Sequence, residues 1–329
     1  MRTAPFLGHG DGSDAARGGA MTEDQLLAEL GRLYYLEDVS KVDLARRFDL
    51  SRFKVARMLA KGRDSGIIRI EIHEPTRNRP EYADPLKMTL GLPLVQVVES
   101  KGSVNQVREA VTLMAAQLMR ESLEDGDVVG LGGGQTMHAL GAQILEPPAI
   151  TVVQLSGVLP STASTAPLEQ LRPHVEGAGG RVHAFNAPMF AGSAQRRDNW
   201  ISQMGLVRDL YDQLDLAVVG IGAWGPSKSP LRTVYPPAVH AQLDAEGPAA
   251  EMLGHWFDTE GGVVAQDVTR GCVTTEIHQL SAAPHVVAVA AGGDKAKAIM
   301  GVARSGLITG LITDRQAAER MLEIAGATR

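Results

Sequence analysis

The strongest constraint on the fold is an alternation of short apolar runs with longer helical stretches, which occupies most of this 329-residue chain. The runs are rich in Val, Ile and Leu, and intervening stretches such as 104–123 and 294–303 have helical periodicity. Strands that alternate with helices form a mostly parallel sheet covered on both faces. The sequence therefore predicts a Rossmann-like, doubly wound α/β domain, with strands at 94–98, 127–131, 151–155, 181–185, 214–221, 285–290 and 308–312.

Composition limits the class of protein further. A single cysteine, Cys272, allows no intramolecular disulfide, so we expect a reducing compartment. Apolar runs such as 286–291 are far shorter than the ~20 residues that span a bilayer, which argues against a membrane protein. The first 20 residues lack the apolar core of a signal peptide. We therefore expect cytoplasmic residence and no membrane partner. Residues 1–21 are expected to be a disordered tail, with an over-called start before Met21 as the alternative.

The charge of the chain is unevenly distributed. The net charge is −6, yet residues 40–63 hold eight basic and two acidic side chains, a local charge of +6. The other 305 residues therefore carry −12. One basic element on an acidic protein indicates contact with a polyanion through that element, since a uniformly acidic protein repels nucleic acid. A solvated helical face is the alternative interpretation.

Three short helices are predicted around this basic window. The first spans 22–35, where apolar residues recur at three- and four-residue spacing. Ser40 and Asp43 resemble an N-terminal capping pair for a second helix that ends near Phe48. After a turn in which Leu50 can fill the core, Ser51 is placed to cap a third helix over 52–61. The expected buried side of the second helix is Val42, Leu44, Ala45 and Phe48, and that of the third is Val55, Met58 and Leu59.

The remaining sides of the third helix fit a DNA major groove. Arg and Lys near a helix start can contact guanine edges and phosphates, and small or apolar groups can touch thymine methyls. Residues 68–73 alternate strictly, which predicts a strand, and a strand directly after the third helix is a wing. The pattern predicts a winged helix-turn-helix domain over 22–74 that binds double-stranded DNA. The predicted contact residues are Lys41, Ser51, Arg52, Phe53, Lys54, Arg57 and Lys61.

Between the two predicted domains, residues 74–85 contain three prolines and show no periodicity. This composition predicts a linker or bent connection, which we place at 75–88. The α/β domain then extends over 89–329.

A glycine-rich turn follows the second predicted strand of that domain. Backbone amides freed by glycine at a helix N-terminus bind anions, and a threonine there adds a donor. The turn is not a dinucleotide fingerprint, because Gln135 replaces the third glycine and no acidic residue ends the next strand. A tight turn without a ligand is the alternative. The candidate anion-binding residues here are Gly132, Gly133, Gly134, Gln135 and Thr136.

In doubly wound sheets, ligands bind in a crevice beyond the carboxyl ends of the strands. Two further predicted strand ends would therefore lie near the glycine-rich turn, at the same edge of the sheet. Gly220 and Gly222 allow close backbone approach, and Lys295 begins a helix. A lysine at a helix N-terminus opposes the helix dipole, which suggests an anion between them, although an exposed helix lysine is the alternative. Glu251 is the candidate acceptor for sugar hydroxyls; it and Asp258 are alternatively solvated loop residues.

Taken together, these motifs resemble the SorC family of bacterial sugar-responsive transcriptional regulators, which are related to the DeoR regulators. The resemblance runs from about Asp24 to Leu322. It implies an operator-binding N-terminal domain and an effector-binding, oligomerisation domain with a fold like that of phosphosugar isomerases. The motifs that carry it are 50–59 with 66–70, 125–130, 219–222, 254–258, 291–296, 307–309 and 313–314.

The resemblance also implies roles for particular residues. Gly134, Thr136 and Lys295 would hold an effector phosphate, while Glu251 and the 220–222 loop would face the hydroxyl end. Homotetramers, as dimers of dimers, and a sugar or sugar-phosphate effector are expected. One departure concerns effector size: Gly133 stands where the family usually has tryptophan.

An isomerase or an effector-binding protein without operator function are the competing interpretations. Isomerases of this fold resemble Gly-x-Gly-x-Asp-Gly-His, whereas this chain has Trp224 and Pro226 at the carboxylate and histidine positions. Neither side chain can take the proton that isomerisation moves, so we expect no enzyme. The nine histidines are scattered and no cysteine pair exists, so no metal or cofactor is expected.

Overall fold

The chain divides after Glu74 into two compact units. The structure is a computed structural model that describes residues 21–68, 77–99, 101–158, 167–225, 232 and 235–327. Three helices make up the described part of the first unit: α1 (Glu23–Tyr35), α2 (Lys41–Arg47) and α3 (Arg52–Asp64). The tail expected over residues 1–21 lies outside the described residues except for Met21.

Side-chain caps start all three helices. Thr22 forms a capping box with Gln25, and the hydroxyls of Ser40 and Ser51 accept from the third backbone amide beyond them. Val42 is the exception to the predicted core, since 53% of it is exposed. It lies two residues before buried Leu44, nearly on the opposite side of the helix. The buried core of the unit is Leu27, Leu30, Leu33, Leu44, Val55, Met58 and Leu59.

The predicted wing lies outside the described residues apart from Ile68. The Ile68 side chain closes onto α1 and α3, where a Cβ on Gly31 or Gly62 would fall 2.8 or 2.6 Å from it. Glycine at these two helical positions therefore lets the chain after α3 pack directly against both helices.

The second unit contains one seven-stranded sheet, and every pairing in it is parallel. Its strands are β1 (Leu94–Val98), β2 (Val128–Leu131), β3 (Thr151–Gln154), β4 (Arg181–His183), β5 (Leu216–Gly220), β10 (His285–Val289) and β11 (Gly310–Asp314). The strand order is β1-β11-β10-β5-β2-β3-β4. The chain runs outward from β2 to β4 on one side and from β5 to β11 on the other, so the switch point lies between β2 and β5.

Both faces of this sheet are buried. In β5, Ala217 and Val219 face one apolar cluster while Leu216 and Val218 face the other. The predicted doubly wound α/β architecture is therefore present, with each of the seven predicted strands found within two residues at either end. The helices of this unit are α4 (Pro80–Leu90), α5 (Val104–Ser122), α6 (Gln135–Gly141), α7 (Pro167–Gly177), α8 (Ala194–Ile201), α9 (Leu206–Leu210), α10 (Pro237–Glu246), α11 (Gln266–Thr269), α12 (Ile277–Ala282), α13 (Ala296–Arg304) and α14 (Arg315–Ala327).

The expected linker over 75–88 requires correction, because most of it belongs to α4. Pro80 occupies the first helical turn. A backbone amide there would have no acceptor within the helix, so its absence in proline costs no helical hydrogen bond. Ala83 and Leu86 are buried in the core of the second unit, and α4 packs on β1 and α14. The tertiary burial of this face outweighs the one helical hydrogen bond that Pro85 cannot donate.

A second, four-stranded antiparallel sheet was not predicted. Its strands are β6 (Gly222–Ala223), β7 (Ala250–Met252), β8 (His255–Phe257) and β9 (Val263–Val264). Their order is β6-β7-β8-β9, and the sheet begins directly after β5. Strands of two or three residues are too short to show a periodic pattern, so the sequence gives no signal for them.

Candidate functional site

The first candidate surface is the outer side of α3. Val55, Met58 and Leu59 hold the helix on its own unit, as the spacing predicts. Ser51 caps the helix by accepting from Lys54 N at 3.1 Å. The seven predicted DNA-contact residues are all exposed, including Phe53, of which 68% is accessible.

Several of these side chains already have partners. Lys61 pairs with Glu23 of α1 at 2.6 Å, the Arg52 guanidinium stacks 4.8 Å from the Phe53 ring, and Lys41 lies 5.0 Å from the Tyr34 ring. Both members of the Lys61 pair are largely exposed, so the pair is weak and its lysine can exchange to another anion. Arg63, which sequence reasoning passed over as a contact, is also exposed on α3 and donates to the Tyr35 hydroxyl at 2.7 Å.

The second candidate site is the crevice at the carboxyl ends of β2 and β5. Gly132 N donates to Val218 O at 2.9 Å, which joins the loop after β2 to β5. Gly134 has φ +99, and a Cβ placed on it would have nothing within 4 Å, so a side chain there is strained although space is free. Gly134 supplies no side-chain cap to α6, whose first amides, at Gln135 and Thr136, lack intrahelical partners.

Lys295 reaches the same crevice from the start of α13. Its Nζ donates to Ile221 O at 3.0 Å, directly after β5. Burial lowers the pKa of Lys295, whereas the neighbouring carboxylates of Asp294, Glu251 and Asp314 oppose that shift. The Lys295 side chain therefore places a partly desolvated amine next to the end of β5.

Glu251 lies in β7, opposite Gly222 of β6. Its Oε1 accepts from Gly254 N at 2.6 Å. Burial raises the pKa of Glu251 to about 7, although the Gly254 amide and the charge of Lys295 pull it down. At neutral pH the side chain can thus accept or donate a hydrogen bond, which suits a hydroxylated ligand.

Sequence reasoning missed two residues of this crevice. The Ser156 hydroxyl follows β3 and would lie 3.4 Å from a Cβ on Gly133. Asp314, at the end of β11, accepts from Gly292 N at 2.7 Å and so fixes the turn that carries Lys295. Their position at strand ends was the available signal. The structure brings Gly132, Gly133, Gly220, Gly222, Glu251 and Lys295 together around these two strand ends, with Gly134, Gln135 and Thr136 continuing into α6.

Asp258 and His255 have structural roles. The Asp258 carboxylate accepts from Glu260 N and Gly262 N, both at 2.8 Å, and closes a turn. His255 is buried with its Nε2 bonded to Thr275 O at 2.9 Å, and burial lowers its pKa. Cys272 is buried beside the Tyr235 hydroxyl, and burial raises the pKa of its thiol to about 12.

The crevice has binding groups, but the position of the expected isomerase carboxylate holds Trp224. Trp224 Nε1 donates to Asp244 at 2.9 Å, and the Arg232 guanidinium lies 4.2 Å from its ring. An indole does not take up a proton near neutral pH. Pro226, at the expected histidine position, lies outside the described residues.

A glycine loop, a partly buried lysine and a partly buried carboxylate therefore lie close together at the carboxyl ends of β2 and β5. A family model described as "Putative sugar-binding domain" matches residues 75–323. This match covers well over half of the chain, and the protein belongs to that sugar-binding domain family.

Two relatives cover nearly the full chain. The transcriptional regulator LsrR of Enterobacter sp. (strain 638) is 29% identical over 320 residues, which are 93% of this chain and 95% of the relative. The sorbitol operon regulator of Klebsiella pneumoniae is 25% identical over 313 residues, with coverage of 91% and 98%.

Solved structures show the same fold. The full-length sorbitol operon regulator SorC from Klebsiella pneumoniae has a TM-score of 0.66 at 23% identity and covers 91% of this chain and 98% of that one. A transcriptional regulator from Streptococcus pneumoniae TIGR4 has a TM-score of 0.68 at 20% identity, with coverage of 75% and 97%. Within the described residues, no helix combines the length and apolarity that a membrane crossing requires.

Proposed function

We propose that this protein is a DNA-binding transcriptional regulator of a carbohydrate or polyol operon, whose operator affinity is changed by a phosphorylated sugar or polyol. The observation that carries the proposal is one chain that holds both an exposed basic helix and, in its other unit, an anion-binding crevice. The relatives named as a sorbitol operon regulator and as transcriptional regulators support it.

In this proposal α3 enters the major groove. Arg52, Phe53, Lys54 and Arg57 face bases and phosphates near its start, while Lys41, Ser51 and Lys61 position the unit on the DNA backbone. Each correct base contact contributes roughly 1–3 kcal/mol of discrimination.

In this proposal, different residues of the crevice contact the two ends of the effector. Lys295 and the loop of Gly132, Gly133 and Gly134 with Gln135 and Thr136 hold the phosphate, because a cation and open amides converge there. Glu251 and the Gly220 to Gly222 loop face the hydroxyl end. Since Gly133 leaves the space above it free of a large side chain, the crevice admits a bulkier effector than a tryptophan would allow.

Regulation follows from linkage between the two units. We propose a homotetramer, arranged as a dimer of dimers, that presents several copies of α3 to operator half-sites. Effector binding favours one arrangement of the tetramer, and the coupling free energy is typically ~1–3 kcal/mol. The chain performs no enzymatic step in this proposal, because Trp224 replaces the proton-transferring carboxylate.

The decisive experiment is fluorescence anisotropy of the purified full-length protein on DNA from upstream of its own gene, at a fixed and stated salt concentration. Free and phosphorylated sugars and polyols are titrated in as a panel. The expected result is specific DNA binding that a phosphorylated compound shifts and its free counterpart does not. The shift by a free polyol alone would overturn the phosphate assignment, and turnover of a panel compound would overturn the non-enzyme assignment.

A further inference from the structure

Leu253 occupies a backbone conformation that L side chains rarely adopt. It forms, with Gly254, the two-residue connection between β7 and β8, and the φ angles of the pair are +55 and +80. Two positive φ values are typical of tight hairpin turns, whose first position usually holds Asn, Asp or Gly. A leucine there retains strain that a polar or glycine residue would relieve, and such strain concentrates at functional sites.

The leucine side chain points inward rather than to solvent. Only 5% of Leu253 is exposed, and its Cδ2 would lie 3.0 Å from a Cβ placed on Gly132. Gly132 in turn donates to Val218 O, so this contact sits where the loop after β2 meets β5. Leucine at position 253 and glycine at position 132 are therefore a complementary pair across the crevice.

The same hairpin carries Glu251. The amide of Gly254, next to Leu253, donates to Glu251 Oε1 at 2.6 Å, and Thr269 Oγ1 donates to Gly254 O at 2.9 Å. Any movement of the turn therefore moves the amide that holds the Glu251 carboxylate.

We propose that Leu253 is a positioning residue that, wedged against Gly132, fixes the hairpin and thereby the Glu251 carboxylate relative to the glycine loop. The proposal rests on the proposed function for its consequence, which is that the phosphate end and the hydroxyl end of the effector crevice are mechanically joined through one side chain. The apolar side chain of Leu253 fills the space above Gly132, and close packing there offsets the strain of its backbone.

The environment of the Glu251 carboxylate can be probed without an effector, through the pH dependence of stability that it causes. Burial raises the pKa of Glu251 to about 7, so the folded protein loses stability relative to its Glu251→Gln variant as pH rises from about 5 to about 8. Groups that do not interact with Glu251 contribute equally to both proteins and cancel in the comparison. The ionisable groups that act on Glu251 are Lys295, Tyr235 and Cys272, and burial raises the pKa of the last two further above this window.

The test is the thermal midpoint of the full chain, with and without Glu251→Gln, measured across that pH range. The backgrounds are the otherwise unchanged chain, Leu253→Ala, Leu253→Met and Leu307→Ala. Leu253→Ala should admit water to Glu251, lower its pKa and shrink the pH-dependent difference. Leu253→Met should retain the difference because it keeps the wedge. Leu307→Ala should also retain it, since Leu307 is 7% exposed in the same apolar cluster but precedes β11, at the amino ends of the strands and away from the crevice.

Gly132→Ala probes the contact from the other side and serves if Leu253→Ala does not fold. Its Cβ would press on Leu253, so the pH-dependent difference should shrink although the change lies in the loop after β2. An unchanged difference in Leu253→Ala, or an equal loss in Leu307→Ala, would overturn the proposal. Failure of the sugar panel would remove only the proposed function, because this titration contains no sugar.

Discussion

Glu251 and Lys295 show how two ionisable side chains acquire unusual properties in one crevice. Both are partly buried. Burial favours the neutral form of each, so it raises the pKa of Glu251 and lowers the pKa of Lys295. They also interact, since the charge of Lys295 opposes the rise in the pKa of Glu251. A bound phosphate would stabilise the charged lysine, and a hydroxyl group can bond to either form of the glutamate. The residue-scale predictions concern these two groups.

The Glu251→Gln variant should remove a pH dependence of stability. The pKa of Glu251 is raised from 4.5 to about 7 on folding, so its contribution is fully present below pH 4.5 and is lost as pH rises through about 7. The variant should therefore gain up to about 3 kcal/mol over the wild type between acidic and mildly basic pH. Denaturant unfolding of both proteins at several pH values measures this. Parallel pH profiles would show that Glu251 titrates normally.

The Lys295→Ala variant should lose the response to a phosphorylated effector. A hydrogen bond to a charged group contributes ~1.5–3 kcal/mol, so effector affinity should fall about ten- to a hundredfold while DNA binding persists. Lys297→Ala is the matched control, because Lys297 is exposed in the same helix. Calorimetric titration of both variants with the active panel compound measures the change. A normal response in Lys295→Ala would refute the phosphate assignment.

Among the secondary-structure elements, α3 presents an exposed basic side, and the parallel sheet brings distant loops together at one edge. The helix is anchored by Val55, Met58 and Leu59, so its exposed side can be basic without weakening the fold. The parallel sheet places the ends of β2 and β5 side by side at the switch point, where glycines let the loops touch. Short antiparallel strands after β5 then carry Glu251 to that edge.

Substitutions on the exposed side of α3 should weaken operator binding alone. Arg52→Ala or Lys54→Ala should weaken the free energy of operator binding by roughly 1–3 kcal/mol if the side chain contacts a base. Effector binding should be unchanged. Arg120→Ala is a suitable control, because Arg120 is an exposed arginine of the second unit. Anisotropy on the same DNA, repeated at several salt concentrations, separates base contacts from phosphate contacts. Equal affinity of wild type and both α3 variants would mean that another surface binds DNA.

At the scale of the whole molecule, the proposed regulation is an exchange of free energy between two units. An acidic protein with one basic element approaches DNA through that element, because the rest of its surface is repelled. The effector can change this binding only by favouring one arrangement of the assembly over another. The same coupling must act in both directions.

Reciprocity gives the corresponding prediction. If a phosphorylated effector changes operator affinity by some factor, saturating operator DNA should change effector affinity by that same factor. The expected factor is about 5–150, which is the usual range of allosteric coupling. Titrating the effector with and without DNA, under identical salt, measures it. A linkage mechanism would be contradicted if the effector released the protein from DNA but bound the free and the DNA-bound protein with equal affinity.

The periodic features of this chain were predictable because burial leaves a local signature. Strands such as β5 and β10 alternate between two apolar clusters, and α3 keeps its predicted buried face. Signals at strand ends likewise pointed to Gly132, Gly220 and Lys295, since the carboxyl edge of a parallel sheet gathers residues that are distant in sequence.

Tertiary structure alone decided the rest. Packing of Ala83 and Leu86 overrode the prolines that suggested a linker, and Val42 turned outward because α2 has room for one buried stripe. The bond from Lys295 to Ile221, the raised pKa of Glu251 and the contact of Leu253 with Gly132 join segments far apart in the chain. The segments that form the sheet and the basic helix were recognisable from local patterns, because periodicity is a local property. Desolvation and close approach depend on neighbours that only the folded chain supplies.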